Sequence, residues 1–376
     1  SRLLTGSGYR LKVPAIDLAE VGAGGGSIVW LDPAGALQIG PRSAGATPGP
    51  VCYGKGGTEP TMTDACAILG YLNPDHLVGG DLPLNTELSK KVFADTIAGP
   101  LGLELEQAAY GAYEIASANM IRAIKSVSSE RGRDPRDYVL FAFGGNGPLF
   151  AGAMATILGM RRILVPPAPG VFSAFGLLCA EVEHHYSQTL RRVLQSADPV
   201  ELESSWKLLE TQADNQLSLD GFPPEQRRLI RSANMHYQGQ IYELSVPVLD
   251  GPIDQAALEV LQDAFGDEHE RTYGHRAGPD EPVELVNLEL VGQGLSTVSR
   301  VPEGLHAVQN TNQQSKPRQA YFGREHAWMD TPVIAREALS KSHSGPCIID
   351  EYDATCLVPP GAKASLDDYG NIVIDL

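Results

Sequence analysis

The sequence predicts an α/β domain followed by an α+β, mostly β, C-terminal domain. Three observations carry that expectation. Tyr138 to Val165 reads as strand, glycine turn, helix and strand, which is a βαβ unit. Residues 104–130 place Ala109, Ala112, Ala116, Met120, Ala123, Ile124 and Val127 at spacings of three and four, the period of a long helix with one apolar face. After Arg192 the texture changes to two amphipathic helices and a series of short strands. A chain of 376 residues suits about two domains of ~150 residues, so the expected division is 1–195 and 196–376.

Taken in order, SIVWLD and ALQIG form two strands joined by the turn Pro33-Ala34-Gly35. Tyr138-Val-Leu-Phe-Ala-Phe143 is a continuous apolar run, as in a strand buried on both faces. Gly144-Gly-Asn-Gly-Pro148 turns the chain, LFAGAMATILGM follows as a helix with Pro148 at its start, and Ile163-Leu164-Val165 is the next strand. Leu202, Trp206, Leu209, Ala213 and Leu217 line one face of a helix; Leu258, Leu261 and Phe265 mark another. Met235 to Val248 reads as one strand bent at Gly239, and the remainder as short strands to the C-terminus.

Composition narrows the function. Hydrophobic residues make up 43 % and charged residues 20 %, a normal globular balance. With 46 acidic and 29 basic residues the net charge is −17, which disfavours nucleic-acid binding by repelling phosphates. No uncharged apolar run is long enough for a membrane span, and the opening SRLLTGSGYRLKVP lacks the apolar core of a secretory signal. The five cysteines form no CxxC pair and sit among apolar neighbours, as buried thiols of a cytoplasmic protein would. No metal site is expected: Glu181, Glu183, His184 and His185 are of ligand type, but adjacent histidines on a regular element point apart.

Two glycine loops stand out, Gly22-Ala-Gly24-Gly25-Gly26-Ser27 and Gly144-Gly145-Asn146-Gly147-Pro148. Glycine lets a backbone approach a ligand closely and aim successive N–H groups at phosphate oxygens. The second loop opens a helix, whose N-terminus adds positive potential. Neither loop matches GxxxxGK[ST] or a complete GxGxxG fingerprint, which disfavours P-loop and Rossmann readings. Asp64, beyond the glycine-rich loop and following hydroxyls in Thr61-Met-Thr-Asp64, is of the type that binds Mg²⁺ through water or orients a phosphoryl acceptor, and also of the type that caps the helix DACAILGYL; the two roles can coexist. Arg42 and Ser43 offer an anion contact, or stabilise their own loop. Arg122, Lys125, Arg131, Arg133 and Arg136 read as a solvated helix end.

GAGGGSIVWLD, GPRSAGATPGPVCYGKGG, PTMTDA, FGGNGPLFA, LVPPAPGVFSAFGLL and GPCIIDEYDATCLVPPG, in that order, resemble the hydantoinase A/oxoprolinase family over almost the whole chain. The resemblance implies a fold of the actin and sugar-kinase ATPase superfamily. Residues 1–195 would be part of a second actin-like domain, and 196–376 the family's C-terminal domain. It implies ATP and Mg²⁺ as cofactors, and phosphorylation of a cyclic amide such as a hydantoin or 5-oxoproline before ring-opening hydrolysis. Under it, Gly24, Gly25, Gly26, Ser27, Gly144, Gly145, Asn146 and Gly147 would bind nucleotide and Asp64 would act in catalysis. Ketone carboxylation of the acetone or acetophenone type is the alternative activity, and a non-catalytic scaffold subunit the alternative role. The family's upstream GGTxTD-type phosphate loops are absent from this sequence. The implied partners are therefore an upstream hydantoinase A segment and a hydantoinase B-type subunit, in a hetero-oligomer, and the chain alone should bind ATP weakly. Where the family carries histidine in its GG-small-GP-Leu-His-Ala motif, this chain has Phe150.

Overall fold

The computed structural model describes residues 18–278, 281–296 and 316–376. They sort into two compact units that do not follow chain order. The first combines 19–129 and 134–178 with 316–376; the second consists chiefly of 130–133, 179–278 and 281–296. The boundary expected near residue 195 falls inside the second unit.

The first unit starts with the antiparallel pair β1 (Ser27–Leu31) and β2 (Leu37–Ser43), closed by a turn at Gly35. α1 (Met62–Ile68) follows, then a small hairpin of β3 (His76–Leu77) and β4 (Leu82–Pro83). α2 (Thr86–Phe93) runs through a π-turn into α3 (Gly99–Leu101). The alanine-lined face expected for 104–130 belongs to α4 (Leu105–Val127), where Ala108, Ala109, Ala112 and Ala116 are fully buried. Small side chains there let α1 and α5 (Gly147–Leu158) pack close to α4. β5 (Leu140–Phe141), α5 and β6 (Arg162–Val165) form the expected parallel βαβ unit, followed by α6 (Phe172–Cys179).

The second unit is a four-stranded antiparallel sheet with two helices. β7 (Val182–Val193), α7 (Pro199–Leu219), β8 (Arg227–Tyr237), β9 (Leu244–Pro247), α8 (Gln255–Tyr273) and β10 (Val283–Gly294) give the sheet order β7-β10-β8-β9. Leu202, Trp206, Leu209, Ala213 and Leu217 are all buried, as the helical period requires. The single bent strand expected over 235–248 is instead a hairpin. β8 and β9 pair antiparallel from Met235↔Leu244 outward, because Gly239 at φ +91° reverses the chain rather than bulging it.

Residues 316–376 return to the first unit as β11 (Arg318–Tyr321), α9 (Gly323–His326), β12 (Trp328–Thr331), β13 (Val333–Ile334), β14 (His343–Ser344), β15 (Cys347–Asp350), β16 (Thr355–Val358), β17 (Lys363–Leu366) and β18 (Ile372–Asp375). The antiparallel hairpin β17–β18 joins β6, so that one sheet runs β14-β17-β18-β6-β5. Arg336 locks this return in place. It is buried, pairs with Glu351, and donates to the carbonyls of Pro166 at 2.9 Å and Gly370 at 2.7 Å. Burial raises the Glu351 carboxyl above its ordinary range, and the Arg336 charge opposes that rise. Among the described residues β5 has a strand on one side only, and the apolar run 138–143 is not buried on both faces. Tyr138, Val139, Phe141 and Phe143 are exposed.

Candidate functional site

The two glycine loops meet. An ideal Cβ on Gly25 would lie well within contact distance of the Asn146 carboxamide and 2.8 Å from Thr63 Oγ1, so the loops touch only because residue 25 has no side chain. Thr63 fastens the first loop from below: its N–H and its hydroxyl donate to Gly25 O at 2.9 and 3.0 Å. Ser27 closes the loop on itself, with Gly24 N–H donating to Ser27 Oγ at 2.9 Å and Ser27 Oγ donating to Gly22 O at 3.1 Å. These bonds leave the N–H groups of Gly25 and Gly26 without a partner among the described residues.

The second loop is the N-terminus of α5. Gly144, at φ +86°, makes the turn after β5, and Pro148 opens the helix as expected. Asn146 occupies the N-cap position, yet its side chain makes no capping bond and faces Gly25 instead. No side chain caps this 12-residue helix; Pro148 has no N–H and Leu149 N–H donates to Asn146 O at 3.1 Å, so the N–H groups of Asn146 and Gly147 are the ones left open beside those of Gly25 and Gly26 among the described residues. Two donor sets from distant parts of the sequence converge where an anion would be held.

Asn146 and Gly145 also line a cavity of about 180 Å³. Its other walls include Tyr53, His76 and Val78, with Tyr352 and Asp353 from the β15–β16 turn. Asp353 is held by accepting from Gly170 N–H at 2.8 Å, and Gly170 must be glycine there because a Cβ would meet Asp353 O at 2.6 Å. Val78 is strained, with φ +51° in a β-branched residue at the cavity wall. Burial raises the Tyr53 phenol above its ordinary range, keeping it a neutral donor. Sequence reasoning singled out none of these wall residues. The available signal was the chain's short, irregular CYG, DHLVGG and EYDAT stretches, polar residues set among glycines.

Asp64 is not at this site. It is fully buried, and both its oxygens are saturated. Oδ1 accepts from Cys52 N at 2.8 Å and Ser89 Oγ at 2.5 Å; Oδ2 accepts from Val51 N at 3.1 Å and from both the N–H and hydroxyl of Thr61 at 2.8 Å. With five donors on a group that offers about four lone-pair positions, no acceptor capacity remains for a metal or phosphate. Asp64 and Thr61 form a capping box on α1. The catalytic and Mg²⁺-binding roles expected for Asp64 give way to the structural one. Among the described residues no group of three or more metal-ligating side chains gathers elsewhere.

Arg42 spends its charge on Glu59, with Nη2 to Oε1 at 2.8 Å, at the rim of a separate open depression. Ser43 Oγ accepts from Gly45 N–H and lies 2.8 Å from where a Gly26 Cβ would stand, so it supports the first loop from behind. His184 pairs with Asp220 at 2.5 Å and His185 with Glu183 at 3.3 Å, in separate pairs rather than one ligand set. Arg122, Lys125, Arg131, Arg133 and Arg136 lie exposed. Phe150 is 2 % exposed and stacks on Tyr113 with centroids 4.8 Å apart, while Tyr113 donates its hydroxyl proton to Leu149 O at 2.9 Å. It packs beneath the α5 N-terminus and does not reach the cavity wall.

Comparison with known proteins matches this arrangement to one family twice over. Residues 3–186 match the hydantoinase/oxoprolinase family model, and 192–373 match the hydantoinase/oxoprolinase C-terminal domain. The caprolactamase subunit alpha of Pseudomonas jessenii is 37 % identical over 96 % of this chain and 52 % of that subunit. The acetophenone carboxylase gamma subunit of Aromatoleum aromaticum is 35 % identical over 98 % of this chain and 52 % of its own length. The crystal structure of the ATP-dependent caprolactamase from Pseudomonas jessenii superposes with a TM-score of 0.81 at 34 % identity, covering 94 % of this chain and 52 % of that one. The chain thus spans about half the length of the curated relatives it matches. It belongs to the hydantoinase/oxoprolinase family.

Proposed function

We propose that this chain forms the nucleotide-phosphate side of an ATP-dependent enzyme that opens a cyclic amide, on an actin-like ATPase fold. The observation that carries the reading is the convergence of the Gly25–Gly26 donors with the uncapped N-terminus of α5. Backbone N–H groups of Gly25, Gly26, Asn146 and Gly147 would hold phosphate oxygens, and the Asn146 carboxamide would set the distance between the loops. ATP would supply a phosphoryl group to the amide oxygen and so make its carbon electrophilic; water would add there, the C–N bond would break as the nitrogen leaves protonated, and a second water would hydrolyse the resulting acyl phosphate to carboxylate and phosphate. The neighbouring cavity, walled by Tyr53, His76, Tyr352 and Asp353, would take the adjoining part of nucleotide or substrate. Asp64 does not fit a magnesium ligand, and no step is assigned to a metal through it.

The rest of a longer hydantoinase-type chain and a hydantoinase B-type subunit would complete the enzyme. Similarity to subunits of multi-subunit enzymes supports a partner. The 35 % identity to a ketone carboxylase subunit favours one second reading, in which the activated group is an enolate carboxylated by bicarbonate. One assay separates them. Phosphate release by the assembled enzyme is measured with hydantoin, 5-oxoproline or caprolactam, and with acetone or acetophenone plus bicarbonate. Release that depends on a cyclic amide supports the first reading; release that appears only with ketone and bicarbonate overturns it.

A further inference from the structure

Two hollows flank the donors of the first glycine loop. The cavity walled by Gly145 and Asn146 lies on the side to which a Gly25 Cβ would point, since that Cβ would meet the Asn146 carboxamide. A Gly26 Cβ would point elsewhere, to Ser43 Oγ at 2.8 Å, and Ala44 N–H donates to Gly26 O at 2.9 Å. Ser43 and Ala44 line the second hollow, the open depression of about 430 Å³ that Arg42, Thr58 and Glu59 also wall. The two hollows share no lining residue. A space of this size with a few polar groups on its wall is of the kind that takes a small molecule.

Phosphoryl transfer runs in line, with the leaving and attacking oxygens on opposite sides of the phosphorus. A phosphate held by the Gly25 and Gly26 N–H groups, with its nucleotide toward Gly145, would take its acceptor from the other side of the loop. The depression adjoins Gly26 on a side away from Asn146.

The polar groups of the depression have a definite pattern. Arg42 Nη2 donates to Glu59 Oε1 at 2.8 Å, and Nη1 to Oε2 at the longer 3.4 Å. Both side chains are more than half or half exposed, at 63 and 50 %, and an exposed ion pair contributes little to stability. Opening the longer bond frees one N–H donor and one carboxylate acceptor side by side. A small-ring amide is locked cis and presents its C=O and N–H on one edge, as the complementary acceptor and donor. An open-chain secondary amide is trans and carries them on opposite edges, and a ketone has no N–H at all.

We propose that this depression is the substrate site, separate from the cavity beside Gly145, and that Arg42 and Glu59 recognise the cis edge of a cyclic amide. Arg42 donates to the amide oxygen and Glu59 accepts from the amide N–H. The oxygen that receives the phosphoryl group is thereby held next to Ser43, on the Gly26 side of the loop. This inference rests on the reading above that the enzyme opens a cyclic amide, and it names the residues that select that class over a ketone.

The test uses the assembled enzyme. Glu59→Ala and Arg42→Ala should each raise KM for hydantoin or caprolactam roughly tenfold or more, with ATP affinity by calorimetric titration unchanged. Thermal unfolding of the chain should also stay unchanged, because the pair is exposed. N-methylcaprolactam lacks the N–H and should bind the unaltered enzyme roughly tenfold more weakly than caprolactam, whereas Glu59→Ala should bind the two within about twofold of each other. A purely structural role for Glu59 cannot produce that coupling. Unchanged KM in both variants, at intact amide-dependent phosphate release, would overturn the site and leave the ring-opening reading standing. A fall in ATP affinity alongside KM would overturn it as well, by assigning the pair to support of the glycine loop. Phosphate release only with ketone and bicarbonate would fail the ring-opening reading itself, and the proposal with it.

Discussion

Two helices of the first unit begin after glycine-rich loops, and the protein treats their N-termini in opposite ways. At α1 the donors are closed from within: Asp64 and Thr61 cap the helix, and the same carboxylate gathers the N–H groups of Val51 and Cys52. At α5 the N-cap residue Asn146 leaves the donors open and turns its side chain to the neighbouring loop. A buried carboxylate that satisfies its surroundings makes a rigid corner. An unsatisfied helix N-terminus at a cavity invites an external anion to complete it. The polar residue that looked most catalytic in the sequence serves the closed corner, while the open one is built almost wholly from backbone.

The contrast can be broken experimentally, starting where the effect on stability is largest. Asp64→Asn should cost roughly 3–5 kcal/mol in urea unfolding, since an amide replaces an all-acceptor group facing five donors and leaves buried N–H groups unpaired. A stable Asp64→Asn protein with lost nucleotide affinity would return Asp64 to the site. Phe150→His should cost roughly 1–3 kcal/mol by placing a polar ring against Tyr113 without a partner, and leave the turnover of the assembled enzyme unchanged. A large rate change at intact stability would contradict the packing role.

Gly145→Ala should shift stability by less than about 1 kcal/mol, because the added Cβ meets only Asp353 O at an ordinary 3.5 Å. Nucleotide affinity of the assembled enzyme should nevertheless fall, as the methyl enters the cavity mouth. Calorimetric titration of the variant decides the point, and unchanged affinity would place the nucleotide elsewhere. The smallest effect concerns the thiols beside Asp64. Burial, with the Asp64 charge adding to it, pushes the Cys66 thiol up to about 12 and raises that of Cys52. A raised thiol pKa keeps both groups protonated below that range, so iodoacetamide at pH 8 should spare them and label Cys179, the one cysteine not buried. Labelling of Cys52 in the folded protein would show that the corner opens.

Much of the local structure was legible because it is written in short-range periodicity. The alanine face of α4, the βαβ succession from β5 to β6 and the buried stripe of α7 all follow from spacings within one element. Three features were not. The run 138–143 has the composition of an inner strand, but whether a neighbour covers it depends on chain far from it in sequence. Gly239 permits a bulge or a reversal equally, and the pairing of β9 with β8 chose the reversal. Asp64 has the same sequence context as a ligand or a cap, and only Val51, Cys52 and Ser89 folding onto it settled which.

By itself, then, the sequence determined the two glycine loops, the helix that one of them opens and the family to which the motifs belong. These depend on glycine's backbone freedom and on local spacing, which act within a few residues. Tertiary structure alone decided that Gly25 meets Asn146, that Tyr352 and Asp353 wall the adjacent cavity, and that Phe150 packs rather than reacts. The β15–β16 turn reaches the cavity because residues 316–376 return to a sheet begun by β5 and β6, and such long-range pairing leaves no periodic trace in the chain.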